Sequence, residues 1–130
     1  MLFKSATDKV DEFRRTRVPQ ADADFLRDLN AAGDVERSHV ALAVRRAVAK
    51  AGQVDPRYIR ADDRESAELA LLPLWDSMDW VQLVMNIEDE LAISIATHEA
   101  MTIRVRNFSV RTCVEDVTAI VRRLRDQGTT

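Results

Sequence analysis

The chain has 130 residues, 46% of them apolar and 5% aromatic, with three glycines, three prolines and a net charge of −3. That length suits one domain with an aliphatic core, and so little Gly and Pro argues for helices over a turn-rich β fold. The single Cys113 excludes an internal disulfide framework and a cysteine-based zinc site, no apolar stretch reaches membrane-spanning length, and charges from Lys4 to Glu12 interrupt any secretory signal.

Residues 1–33 read as two short helical segments split at Val18-Pro19, anchored by Phe13, Phe25, Leu26 and Leu29. Their charge is dense and their apolar faces are narrow, so a partly ordered extension is expected, followed by a helical domain over 34–127. From about Val35 to Ala51, Val40, Val44, Ala47, Val48 and Ala51 recur at helical spacing, with Arg45, Arg46 and Lys50 off that stripe. Gly52 is the expected helix stop, and Asp55-Pro56 caps a short turn carrying Tyr58 and Ile59. Residues 60–68 are charged and read as a loop.

A long helix is expected next, with Asp76 as N-cap and Asp79 in the first turn. Trp80, Leu83, Val84, Ile87 and Leu91 form one apolar stripe, and Met78, Val81 and Met85 form a second beside it. One stripe attaches a surface helix to a core. The second either packs under another element or faces a partner. Residues 93–111 alternate with period two, which predicts a short extended segment near 102–110, with a broken helix as the alternative. The last helix is expected to open on a capping box, Thr112-Cys113-Val114-Glu115, with Cys113, Val117, Ile120, Val121 and Leu124 inward.

Charge is segregated. Between Arg64 and Arg104 there is no Lys or Arg, while Glu65, Glu68, Asp76, Asp79, Glu88, Asp89, Glu90 and Glu99 are all acidic. A partner docking there is expected to present a basic face.

The run Asp76-Ser77-Met78-Asp79, followed by Val81, Leu83-Val84-Met85, Ile87, Glu88-Asp89-Glu90 and Leu91, resembles the acyl carrier proteins. Their hallmark is Asp-Ser-Leu, usually followed by Asp, at the start of the second helix. The resemblance covers roughly residues 36–126 and is strongest over 76–95. It implies an all-α bundle of three long helices and one short helix. Ser77 matches the serine that receives 4'-phosphopantetheine covalently from coenzyme A, flanked by Asp76, Met78 and Asp79. Met78, Val81 and Met85 match apolar residues that face partner enzymes, and Glu88, Asp89 and Glu90 match acids that meet basic patches on them. The implied partners are a phosphopantetheinyl transferase and acyl ligases or synthases of a fatty acid or polyketide type pathway. The protein would tether and present a thioester without catalysis of its own.

The chain departs from that pattern in several places. Leu74 and Trp75 stand where small residues are usual, Gln82 stands where a glutamate is usual, and both the N-terminus and the connection after Ile95 are longer. These departures point to a specialised carrier. An unmodified carrier-fold adaptor remains an alternative, as does an aminoacyl or peptidyl carrier, although Gly-Gly is missing before the serine motif. His39 and His98 lack metal-like spacing, and no nucleophile–base set is present. Arg14, Arg15 and Arg17 sit beside Asp11 and Glu12 and make no convincing nucleic-acid site. A cytoplasmic monomer without metal or membrane span is expected.

Overall fold

A computed structural model describes residues 6–72, 77–105 and 108–128, with side chains over 8–72, 80–103 and 108–128. Helices α1 (Ala6–Arg15), α2 (Asp22–Asp28), α3 (Val35–Gly52), α4 (Ser77–Leu91), α5 (Thr97–Val105) and α6 (Val110–Asp126) follow in order, with 3-10 turns at Pro56–Tyr58 and Leu69–Leu71. The described chain is all-α, and none of its helices is long and apolar enough to cross a membrane.

Helix α3 is the centre. Val40, Val44, Ala47, Val48 and Ala51 are buried as their spacing predicts, and so are Ala41, Ala43, Arg45 and Ala49. It packs against α4 on one side and α6 on another. Small residues around most of its circumference let neighbouring backbones approach closely. Asp34 caps its start, with Oδ1 accepting from the Arg37 N–H at 3.0 Å. The carboxylates of Asp34 and Glu36 meet the guanidinium of Arg122 at 2.5 and 2.8 Å, and Arg125 adds a contact to Glu36 at 2.9 Å. Acids at a helix start and arginines at a helix end also complement the two helix dipoles.

Three expectations need correction. The stop after α3 is Gln53, in the left-handed region at φ 59°, and Gly52 is still helical. A side chain at 52 meets a different obstacle: a Cβ there would lie 2.4 Å from Leu72 Cδ1, so the Leu72 side chain would have to shift. The extended segment near 102–110 is helical through Val105, because Ala100 and Ile103 are buried at a spacing of three while Met101 and Thr102 face solvent. Among the described residues, extended pairing is one bridge, Arg64 to Ser109, flanked by the Glu65 N–H on Phe108 O at 3.1 Å and the Val110 N–H on Asp63 O at 2.9 Å. The last helix opens earlier than its expected box. Ser109 is the N-cap and Thr112 the reciprocal partner, with Thr112 N–H on Ser109 Oγ at 3.1 Å and Ser109 N–H on Thr112 Oγ1 at 3.0 Å. That register buries Val110, Cys113, Val114 and Val117 together.

The described helices of the leading segment pack on this bundle. Helices α1 and α2 bring Phe13, Phe25, Leu29 and Ala31 into the same apolar core as α3, α4 and α6. Two arginines fasten them. Arg17 forks onto Asp63, both contacts at 2.7 Å, and lies 4.1 Å over the Phe13 ring. Arg45 is fully buried on α3, donating to Asp22 at 2.8 Å and to the carbonyls of Gln20, Ile59 and Arg57 at 2.8, 3.1 and 3.2 Å, while its guanidinium lies 4.4 Å over Phe25. Burial pushes the Arg45 pKa down and Asp22 opposes the shift. An arginine stays charged regardless, so the donors must all be met.

Candidate functional site

Ser77 is the first residue of α4. A helix start leaves its first N–H groups without intrahelical acceptors and carries the positive end of the macrodipole, which favours an anion. Asp76 lies outside the described residues, and Ser77, Met78 and Asp79 are described in backbone alone. The helix is approached from the turn at Leu69–Leu71, where Leu69 and Leu72 are buried and Leu71 is 62% exposed. Leu72, seated in the gap left by Gly52, ties this approach to the end of α3.

Over its described side chains, helix α4 keeps its two stripes apart, with Met78 of the second stripe outside them. Trp80, Leu83 and Ile87 are buried, and Val84 and Leu91 pack partly buried against the same core. The Trp80 ring meets Phe108 edge-on at 5.8 Å and 82°, a favoured aromatic geometry that makes this tryptophan a packing residue. On the other face Val81 is 58% and Met85 50% exposed. Asn86 is buried between the faces. Its Oδ1 accepts from Gln82 Nε2 at 2.8 Å, and its Nδ2 approaches the Ala47 carbonyl at 3.5 Å.

The acidic end of α4 is less free than its sequence suggests. Glu88 Oε2 accepts from the Ile95 N–H at 2.8 Å, which fixes the turn after the helix, where Ala92 adopts a left-handed φ of 52°. Glu90 pairs with Arg46 of α3 at 3.0 Å. Asp89 is exposed and has no ion-pair partner among the described residues. Arg46 could not have been assigned to Glu90 from sequence, because the pair spans 44 residues. Arg45 left one faint signal. It stands in a row with Ala41 and Ala49, four residues to either side, and small residues on a helix mark close approach by another element.

His39 and His98 are exposed, and no cluster of three or more potential metal ligands occurs among the described residues. Cys113 is fully buried, and burial pushes its thiol far above the ordinary range, so it packs as a small apolar group. Compared with family models, curated proteins and solved structures, the chain finds no match.

Proposed function

We propose that the chain is a carrier protein whose Ser77 accepts a 4'-phosphopantetheine arm from coenzyme A. One observation carries the reading: Ser77, between two aspartates in sequence, opens a 15-residue helix whose far side is buried and whose near side exposes Val81 and Met85. The order of elements supports it as well, with long α3, Ser77-led α4, short α5 and long α6 after the two N-terminal helices. In the loading step, Ser77 Oγ forms a phosphoester bond to the phosphopantetheine phosphorus, the pyrophosphate link of coenzyme A breaks to release adenosine 3',5'-bisphosphate, and the hydroxyl proton passes to a base on the transferase. The first-turn N–H groups of α4 and their dipole would offset the phosphodiester charge. Bound there, the arm's thiol supplies an attachment point for an acyl group as a thioester. The chain itself contributes the tether and a surface, Val81, Met85 and Asp89, on which acyl ligases or synthases dock.

The test is intact mass after incubation with coenzyme A and a broad-specificity phosphopantetheinyl transferase. One added phosphopantetheine, absent in Ser77→Ala, is the expected result. No gain in the wild type would leave an interaction adaptor built on the same helices.

A further inference from the structure

Helix α1 and the turn at Leu69–Leu71 enclose an open groove of about 340 Å³. Lys9, Glu12, Phe13 and Thr16 line it from α1, at i, i+3, i+4 and i+7, which is one helix face. Ala70 and Leu71 line it from the turn. A 3-10 turn repeats every three residues, so Leu69 and Leu72 enter the core together while Ala70 and Leu71 are left outside. Phe13 is nearly covered by the core and stands at the bottom of the groove. The polar groups around it differ in what they have left to offer. The Thr16 hydroxyl already donates to the Phe13 carbonyl at 2.9 Å, and Glu12 has an interaction of its own. Lys9 is exposed, and no carboxylate pairs with it among the described residues. The groove therefore joins an apolar wall to an unpaired cation at its rim.

We infer that this groove binds a free alkyl carboxylate of medium length, with its chain along Phe13, Ala70 and Leu71 and its carboxylate at the Lys9 ammonium. The volume lies at the lower end for small-molecule sites, which suits a single chain. Covering the exposed Leu71 and the chain together removes apolar surface of both from water, and that is the main attraction. A lysine suits the head group. Its apolar stem can lie over the ligand while the ammonium stays in water, and its single point charge matches a monoanion. A phosphate monoester carries nearly twice that charge and is typically held by arginine forks, and no arginine lines this groove among the described residues. The inference is independent of Ser77, since the described lining comes from α1 and the turn alone.

The measurement is a titration of the full chain with octanoate, followed residue by residue through backbone amide NMR shifts. Saturable shifts centred on α1 and the Leu69–Leu71 turn are expected, and each methylene from hexanoate to octanoate should tighten binding about threefold. Lys9→Met keeps the stem and removes the charge. It should weaken octanoate about fivefold, the upper scale of an exposed ion pair, and leave neutral octanol unchanged. Leu71→Ser should weaken both ligands about tenfold through the lost apolar wall. Both positions are exposed, so circular dichroism should be unaltered in either variant. Ser77→Ala should bind octanoate as the wild type does, which separates this site from the attachment reading. An absence of saturable shifts, shifts centred on another part of the chain, an unchanged octanoate affinity in Lys9→Met, or tighter binding of octylamine than of octanoate would each overturn the inference.

Discussion

Gly52 shows how a single residue can be read correctly as special and for the wrong cause. Its sequence context suggests a helix end, yet Gln53 takes the left-handed position, and what a side chain at 52 would displace is Leu72. Gly52→Ala should therefore destabilise by about 1–3 kcal/mol in a urea melt, the usual cost of forcing an extra carbon into a packed site. If helix ending were the cause, a gain in helix propensity would reduce or reverse that loss. Arg45 is the opposite case. Its place off the main apolar stripe predicts exposure, and only the tertiary structure shows four acceptors and the Phe25 ring around it. Long-range acceptors leave no trace in local spacing beyond the small neighbours Ala41 and Ala49, which is why its partners were illegible.

Among the elements, α4 was the most legible because both of its stripes repeat over several turns. The contrast between them can be measured. Leu83→Ala and Ile87→Ala should each cost about 2–5 kcal/mol, whereas Val81→Ala and Met85→Ala, exposed by half or more, should cost less than about 1 kcal/mol. Equal losses on both faces would mean that the exposed stripe is covered in solution. Helix α5 was misread because nine residues give too few turns to separate periods two and three, and isoleucine and valine favour strands by propensity. The start of α6 was misplaced for a related reason. Ser109 and Thr112 are both good caps, and the choice between them follows from burying Val110 and from the bridge to Arg64.

On the scale of the molecule, carboxylates in paired positions set the response to acid. The Arg37 backbone N–H, with Arg122, holds Asp34 below the ordinary range; the Arg57 guanidinium does so for Asp55, and the Arg111 guanidinium for Asp62. A folded-state pKa below the unfolded one gives stability that is present above the unfolded value and lost as pH falls through the folded value. The urea midpoint should thus hold steady around neutrality and decline below about pH 4. Asp34→Asn should flatten that decline at the α3–α6 junction while keeping a cap, and an unchanged acid profile would remove Asp34 from the account.

The helical class, the spans of α3 and α4 and the position of Ser77 at a helix start were legible, since each depends on neighbours within a few turns. How α1 and α2 sit on the rest was not, because that depends on Arg17 reaching Asp63 and Arg45 reaching Gln20 and Asp22.

Arg45 sits on the central helix, but two of its four acceptors belong to the first thirty residues. Cutting the chain before Gly33 would strand a cation inside a greasy interior and uncover the seats of two phenylalanines. Anyone transplanting the Ser77 helix into a fusion must carry that leading stretch along as an inseparable part of its foundation.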